Sequence, residues 1–232
     1  MTMKKLIFST ILLCIVYTSQ AQFGVNVRYS SNNFSAWSGI TQAASGGPIF
    51  ENHLEFALDY WFKPGEYRAE YLLEAAFSDQ TTTLLGDREY SLTTYTLGVK
   101  SNLYIFDFKG DCDCPTFSKQ GGFFKKSFFL QWNANIGYWQ KEVNLFGESN
   151  NNLAVDIGGG LGFDIGISDL LTITPTLTYQ YFPWLTWEQF GLRHQIGGIE
   201  NLNAKITATM VKFGVRIGLR PDFIREQRIL RR

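Results

Sequence analysis

The chain has 232 residues, 45% of them hydrophobic, with 21 basic and 21 acidic side chains that cancel to a formal charge of zero. With no net positive charge and no basic face, it has nothing to neutralise a phosphate backbone, which sets nucleic-acid binding aside. Aromatic residues make up 16% and there are 22 glycines, yet beyond the first residues no apolar stretch is long enough for a membrane-crossing helix, a combination that suits a β-rich chain.

The N-terminus reads as a secretory signal. Lys4 and Lys5 precede an apolar run from Leu6 to Tyr17, and Ser19-Gln20-Ala21 then supplies the small side chains that signal peptidase needs, so cleavage is expected after Ala21. The apolar run, roughly a dozen residues, is too short for the ~20 of a spanning helix. Leu13 before Cys14, where a small residue is needed, argues against a lipoprotein. Residues 1–21 are therefore the signal peptide, and the exported chain begins at Gln22 and is slightly acidic.

From there a period of two dominates. Phe23, Val25, Val27 and Tyr29 alternate with Asn26 and Arg28, and Leu54, Phe56, Leu58, Tyr60 and Phe62 alternate with Glu55, Asp59 and Trp61. Tyr67 to Phe77 sets Tyr71, Leu73 and Phe77 against Arg68, Glu70 and Glu74, and Tyr95 to Ile105 sets Leu97, Val99 and Leu103 against Thr96, Lys100 and Asn102. Phe128, Leu130, Trp132, Ala134, Ile136 and Tyr138 follow against Gln131, Asn133 and Asn135. The clearest case interleaves Leu153, Val155, Ile157, Leu161, Phe163 and Ile165 with Asp156, Gly158, Gly160, Gly162 and Asp164. Leu171 to Tyr181 alternates with threonines around Pro175, and Val211 to Leu219 alternates with Lys212, Gly214 and Arg216. Successive strand side chains point to opposite faces, so each segment has one greasy and one polar or small face.

Eight such segments, each about ten residues long, match tilted transmembrane strands, and an even number returns both termini to one side. The fold expected is an all-β, eight-stranded antiparallel up-and-down transmembrane barrel over residues 22–220, followed by a basic periplasmic tail over 221–232. With a periplasmic N-terminus, outer loops are expected near 30–52, 79–89, 141–151 and 182–202, and the inner turns are residues 63–66, the Cys112 region and Ser168-Asp169. A soluble lipocalin-type barrel would need a polar outer face, which the glycine-and-aspartate set of the sixth segment supplies poorly.

The candidate functional residues sort by face. Glu70, Glu74, Lys100, Asp156, Asp164, Lys212 and Arg216 are expected inside as a charge-compensated network. An interior filled in this way is closed to free diffusion, with a narrow gated channel through the same residues as an alternative. Trp61, Tyr67, Trp139, Tyr181, Trp184 and Trp187 are assigned to the interfacial aromatic girdles. Cys112 and Cys114 form either a local disulfide in an oxidising compartment or remain free or metal-binding thiols. The connection around them, Asp111 to Gly122, is long for a periplasmic turn and is a candidate docking surface for a periplasmic or outer-membrane protein.

A lipid A-modifying enzyme is the other class considered, because such a site needs a serine beside a histidine with an orienting acid. The only histidines are His53 and His194, with Glu51 and Glu188 as candidate acids, and no Gly-x-Ser-x-Gly elbow is present. No catalytic residue, metal site or cofactor is assigned, and outer-membrane lipid is the expected surrounding.

The strand pattern, the Ser19-Gln20-Ala21-Gln22 signal end and the Cys112-Asp113-Cys114-Pro115 turn resemble the small outer-membrane barrels of Bacteroidota, OmpA-like in their membrane domain and PorT-like among them. The resemblance implies outer-membrane location and a place in a secretion or gliding assembly; it carries over no catalytic residue.

Overall fold

The computed structural model describes residues 22–33, 52–62, 69–84, 88–106, 127–143, 148–167, 171–186 and 205–219. The strands are β1 (Gln22–Asn33), β2 (Asn52–Phe62), β3 (Ala69–Leu84), β4 (Arg88–Leu103), β5 (Phe128–Val143), β6 (Glu148–Phe163), β7 (Ile165–Gly166), β8 (Leu171–Thr186) and β9 (Lys205–Leu219). The two-residue β7 resumes β6 after a break at Asp164 and pairs with β8. Sequential neighbours pair antiparallel, β1 bonds to β9, and β6 bonds to β8. The sheet thus closes into an eight-stranded barrel with no edge within the membrane.

The burial pattern is the reverse of a soluble core. Leu58, Leu97 and Leu153 are 65, 63 and 66% exposed, whereas Glu55, Asp59 and Arg28 are 3, 3 and 4% exposed. Apolar side chains that face outward on every strand need hydrocarbon around them, and charged side chains that face inward need one another. An apolar depression of about 700 Å³ on the outer wall, among Leu58, Leu73, Leu97 and Ile136, is part of that hydrocarbon-facing surface.

The apolar band ends sharply at the edge remote from the termini. Ser31 pairs with Asn52, Asp79 with Thr93, Thr93 with Gln140, and Gln140 with Asn151, so a partial ring of polar residues crosses the wall from β1 to β6. Thr93 Oγ1 donates to Asp79 Oδ1 at 2.8 Å within that ring. Below it on β5, Phe128 to Tyr138 covers about 33 Å along the strand, or about 25 Å of bilayer at the ~40° tilt of such barrels.

Two of the expected outer loops prove to be strand. Asp79 to Leu84 pairs with Arg88 to Thr93, and Gln140 to Val143 pairs with Glu148 to Asn151, so β3, β4, β5 and β6 continue past the polar ring. The sequence hid this extension because outside hydrocarbon neither face has to be apolar, and the period of two that marks a strand disappears. For the same reason β9 starts at Lys205, ahead of the alternation that begins at Val211.

Gly158, Gly160 and Gly162 of β6 line the inner face. A Cβ on Gly160 would meet the Leu177 carbonyl on the adjacent strand, and one on Gly162 would overlap the Phe129 ring. Phe129 is fully buried and packs on Tyr104 at 5.4 Å between ring centroids, so the glycine wall makes room for an aromatic plug. Gly160→Val should therefore cost about 1–3 kcal/mol through overpacking. Urea unfolding of the protein folded into lipid vesicles checks this, and an unchanged midpoint would show that the wall has slack.

Candidate functional site: the ion-paired lumen

One row of charges spans the lumen. Lys212 Nζ on β9 lies 2.7 Å from Glu55 Oε2 on β2. Arg28 Nη2 on β1 lies 2.6 Å from Glu55 Oε1 and 2.7 Å from Glu74 Oε1 on β3. Lys100 Nζ on β4 closes the row, 2.6 Å from Glu74 Oε2. The result is a chain of alternating sign, Lys212–Glu55–Arg28–Glu74–Lys100, in which each glutamate meets two cations. Such alternation is what lets buried charges repay the loss of water.

Beside the row, Arg216 grips Asp59 through two parallel bonds, Nε to Oδ2 at 2.8 Å and Nη2 to Oδ1 at 2.6 Å. This fork is the strong form of an ion pair, because both donors are held in one plane. Asn26 links the two systems by donating to Asp59 Oδ2 at 3.1 Å and to Glu74 Oε2 at 3.3 Å.

Towards the terminal end, Tyr104 donates its hydroxyl to Glu70 Oε2 at 2.9 Å and contacts Asp164, which also accepts from Thr174 Oγ1 at 2.6 Å. The break between β6 and β7 falls at Asp164, and its backbone N–H is carried to Ser127 O at 3.0 Å instead of a strand partner. Asp156 stands apart from both clusters and accepts from Asn135 Nδ2 at 2.6 Å.

All seven charges expected inside are buried, and the structure divides them. Glu74, Lys100, Lys212 and Arg216 belong to the ion-pair system, Glu70 and Asp164 meet at Tyr104, and Asp156 joins neither. Arg28, Glu55 and Asp59 complete the system. Their signal in the sequence is their polar position in the first two alternating segments. Tyr104 and Phe129 also face inward, and only strand parity marks them, since an aromatic side chain by itself suggests the lipid face.

The girdle assignment is corrected at two positions. Trp61 and Trp139 are 6 and 5% exposed and point into the lumen, where Trp139 meets Phe182 edge-on at 5.3 Å. Parity decides this: Trp61 is two residues from Asp59, and Trp139 is four from Asn135, so each shares the inner face with its polar neighbour. Tyr181 does face outward, at 37% exposure. On the outer wall near the terminal end, Phe23, Tyr60, Phe62 and Tyr71 form an unbroken run of ring contacts. Trp184 lies in β8 opposite Val155 through its backbone. Tyr67, Trp187, Cys112, Cys114 and the Asp111–Gly122 connection lie outside the described residues, as do residues 1–21, the tail, His194, Glu51 and Glu188.

His53 also faces the lumen, with Nδ1 3.3 Å from Asn32 Nδ2, and the register sets Ser30 opposite it. Ser30 is fully buried and its hydroxyl has no hydrogen-bond partner among the described residues, so the two do not form a nucleophile–base pair open to a lipid substrate. Among the described residues, two small cavities flank the charge row. A cavity of about 10 Å³ lies on one side of the charge row, among Lys100, Asn102, Gln131, Asp164 and Arg216. A second of about 10 Å³ lies on the other, among His53, Thr94, Asp156 and Lys212. Each has room for about one water molecule.

With this geometry in hand, the chain can be set beside known proteins. It is similar to the crystal structure of Neisserial surface protein A, at 9% identity over 86% of this chain and 97% of that one, with a TM-score of 0.45. It is similar to Ail of Yersinia pestis in complex with the heparin analogue sucrose octasulfate, at 10% identity over 85 and 97% of the two chains and a TM-score of 0.46. The outer membrane protein OprG from Pseudomonas aeruginosa is similar at 10% identity over 86 and 95%, with a TM-score of 0.38. No protein-family profile and no curated protein matches the sequence. The barrel reading rests on the closed sheet and the inverted burial described above.

Proposed function

We propose that this protein is an outer-membrane barrel with a structural or interaction role, whose working surfaces are its two ends. The observation that carries this is the lumen, crossed by the Lys212–Glu55–Arg28–Glu74–Lys100 row, with a cavity of about 10 Å³ on either side among the described residues. A barrel so filled offers solutes no open path. Its specific form is membership of a secretion or gliding assembly, supported by the sequence resemblance, with the Asp111–Gly122 connection as the docking surface.

The test is affinity isolation of the full chain from cross-linked cell envelopes, beside a variant in which Asp111–Gly122 is replaced by a two-residue Asn-Gly turn, which suffices to close a hairpin. Envelope proteins should accompany the original chain and be lost from the variant. Both barrels should stay in the outer-membrane fraction and shift on SDS gels when heated. Equal recovery with both chains would dismiss this connection as the docking surface, and recovery of no envelope protein would overturn the interaction role.

A second reading, a narrow gated channel, is favoured by the two cavities, because members of the charge row line both of them. Under this reading Arg28→Gln should raise the frequency of brief openings in planar bilayers. Traces that stay flat for both chains would remove it.

A further inference from the structure

We infer that the cavity on the His53 side of the charge row is a binding site for one water molecule, through which Asp156 reaches Lys212 and supplies the negative charge that the row lacks. This goes beyond the role proposed above and holds whichever end of the barrel meets a partner.

The row is out of balance. It holds three cations, Lys212, Arg28 and Lys100, against two carboxylates, Glu55 and Glu74. A buried charge without a counter-charge is costly, so a further carboxylate is needed nearby. Asp59 is held by Arg216, and Glu70 and Asp164 meet at Tyr104. Asp156 is the carboxylate left. It is 4% exposed, and among the described residues it lies in no ion pair and accepts from Asn135. Of the charged side chains around it, Lys212 acts on it most strongly, ahead of Glu55 and Lys100.

The cavity joins the two. Lys212, Asp156 and Gln80 all line it, and its volume of about 10 Å³ has room for about one water molecule. Each of the three has hydrogen-bonding capacity to spare. Lys212 Nζ carries three protons and gives one to Glu55 Oε2. Asp156 accepts from Asn135 on Oδ1, which leaves it further lone pairs. Gln80 is 9% exposed, and its Oε1 has no hydrogen-bond partner among the described residues. A water that accepts from Lys212 and donates to Asp156 and Gln80 makes three bonds, the usual number for a buried water.

Charge and hydrogen bonding together select water. A metal cation would find Asp156 and Gln80, yet it would sit beside Lys212 and add to the positive excess of the row. An anion would face both Glu55 and Asp156. Water is uncharged and can accept and donate at once, as this lining requires.

The bridge also extends the layer. Lys212, Arg28, Glu55, Glu74 and Lys100 stand on β9, β1, β2, β3 and β4, and the water carries the chain of bonds on to Asp156 on β6 and Asn135 on β5. Every barrel strand except β8 then contributes to one hydrogen-bonded septum across the lumen.

The test uses the full chain in lipid nanodiscs, with magnetisation transfer from water read by NMR at the side-chain amide of Gln80. That amide should show a water cross-peak with the sign of a held molecule. Asp156→Leu keeps the approximate shape of the side chain and removes its charge and its acceptors; it should abolish the cross-peak while the barrel remains heat-modifiable. Urea unfolding in vesicles then compares Asp156→Leu, Lys212→Met and the double variant. The fall in the folded-to-unfolded ratio caused by Asp156→Leu should be at least about fivefold larger in the original chain than in Lys212→Met. A Gln80 amide without held water in the original chain overturns the site, and this measurement needs no variant to fold. A cross-peak that survives Asp156→Leu overturns the bridge, and so does coupling without any cross-peak, which would mean direct contact. Additive losses, within about twofold, overturn the charge-balancing role of Asp156.

Discussion

Arg28→Met should lower the stability of the folded barrel by about 3–5 kcal/mol, the usual cost of removing one partner from a buried ion pair. Arg28 is the one cation in the charge row that touches two carboxylates, Glu55 at 2.6 Å and Glu74 at 2.7 Å. Without it, two glutamates with side chains each 4% exposed face a gap that an apolar side chain cannot neutralise. Lys212→Met should cost less, because Glu55 keeps Arg28. Adding Glu74→Gln to Arg28→Met should return part of the loss, since neighbours in one network are not additive. Urea unfolding in lipid vesicles, followed by tryptophan fluorescence, measures all three. A cost below about 1 kcal/mol for Arg28→Met, the scale of a solvated surface pair, would show that water reaches the row and that the lumen is open.

Leu161→Arg should cost about 2–4 kcal/mol, the penalty for a lipid-facing arginine near the bilayer midplane. Leu161 is 46% exposed on the outer wall, between Leu130 of β5 and Leu177 of β8 in the paired register. The same substitution at Asn151, in the polar ring, should cost about 0–1 kcal/mol, because the side chain there reaches water and headgroups. The contrast is the informative result, since both residues belong to β6 and share its outer face. Equal, small effects at the two positions would mean that the wall is not in hydrocarbon.

The membrane-facing pattern was legible because it is local. Leu153, Val155 and Ile157 alternate with Ala154, Asp156 and Gly158 over a distance that needs no partner strand to interpret, and a period of two assigns faces whatever the rest of the chain does. The same rule already held Trp61 and Trp139 on the inner face. The general preference of tryptophan for membrane interfaces argued the other way, and parity wins because moving either ring outward would slip its whole strand by one residue. Where hydrocarbon stops, so does the pattern, which is why Thr81-Thr82-Thr83 looked like a loop and is a strand.

The pairing of charges belongs to tertiary structure. Alternation by itself put Glu74, Lys100, Lys212 and Arg216 inside, and it could not say which would meet. Lys212 and Glu55 are 157 residues apart, as are Arg216 and Asp59, and they touch only because β9 closes on β1 and brings its inner face opposite β2. The register of that closure and the tilt of the strands set the height of each side chain along the lumen, and neither is written in a two-residue period. Sequence by itself determined the two faces of each strand through local stereochemistry. Closure decided that Arg28 lies between two glutamates and that Tyr104 meets Asp164.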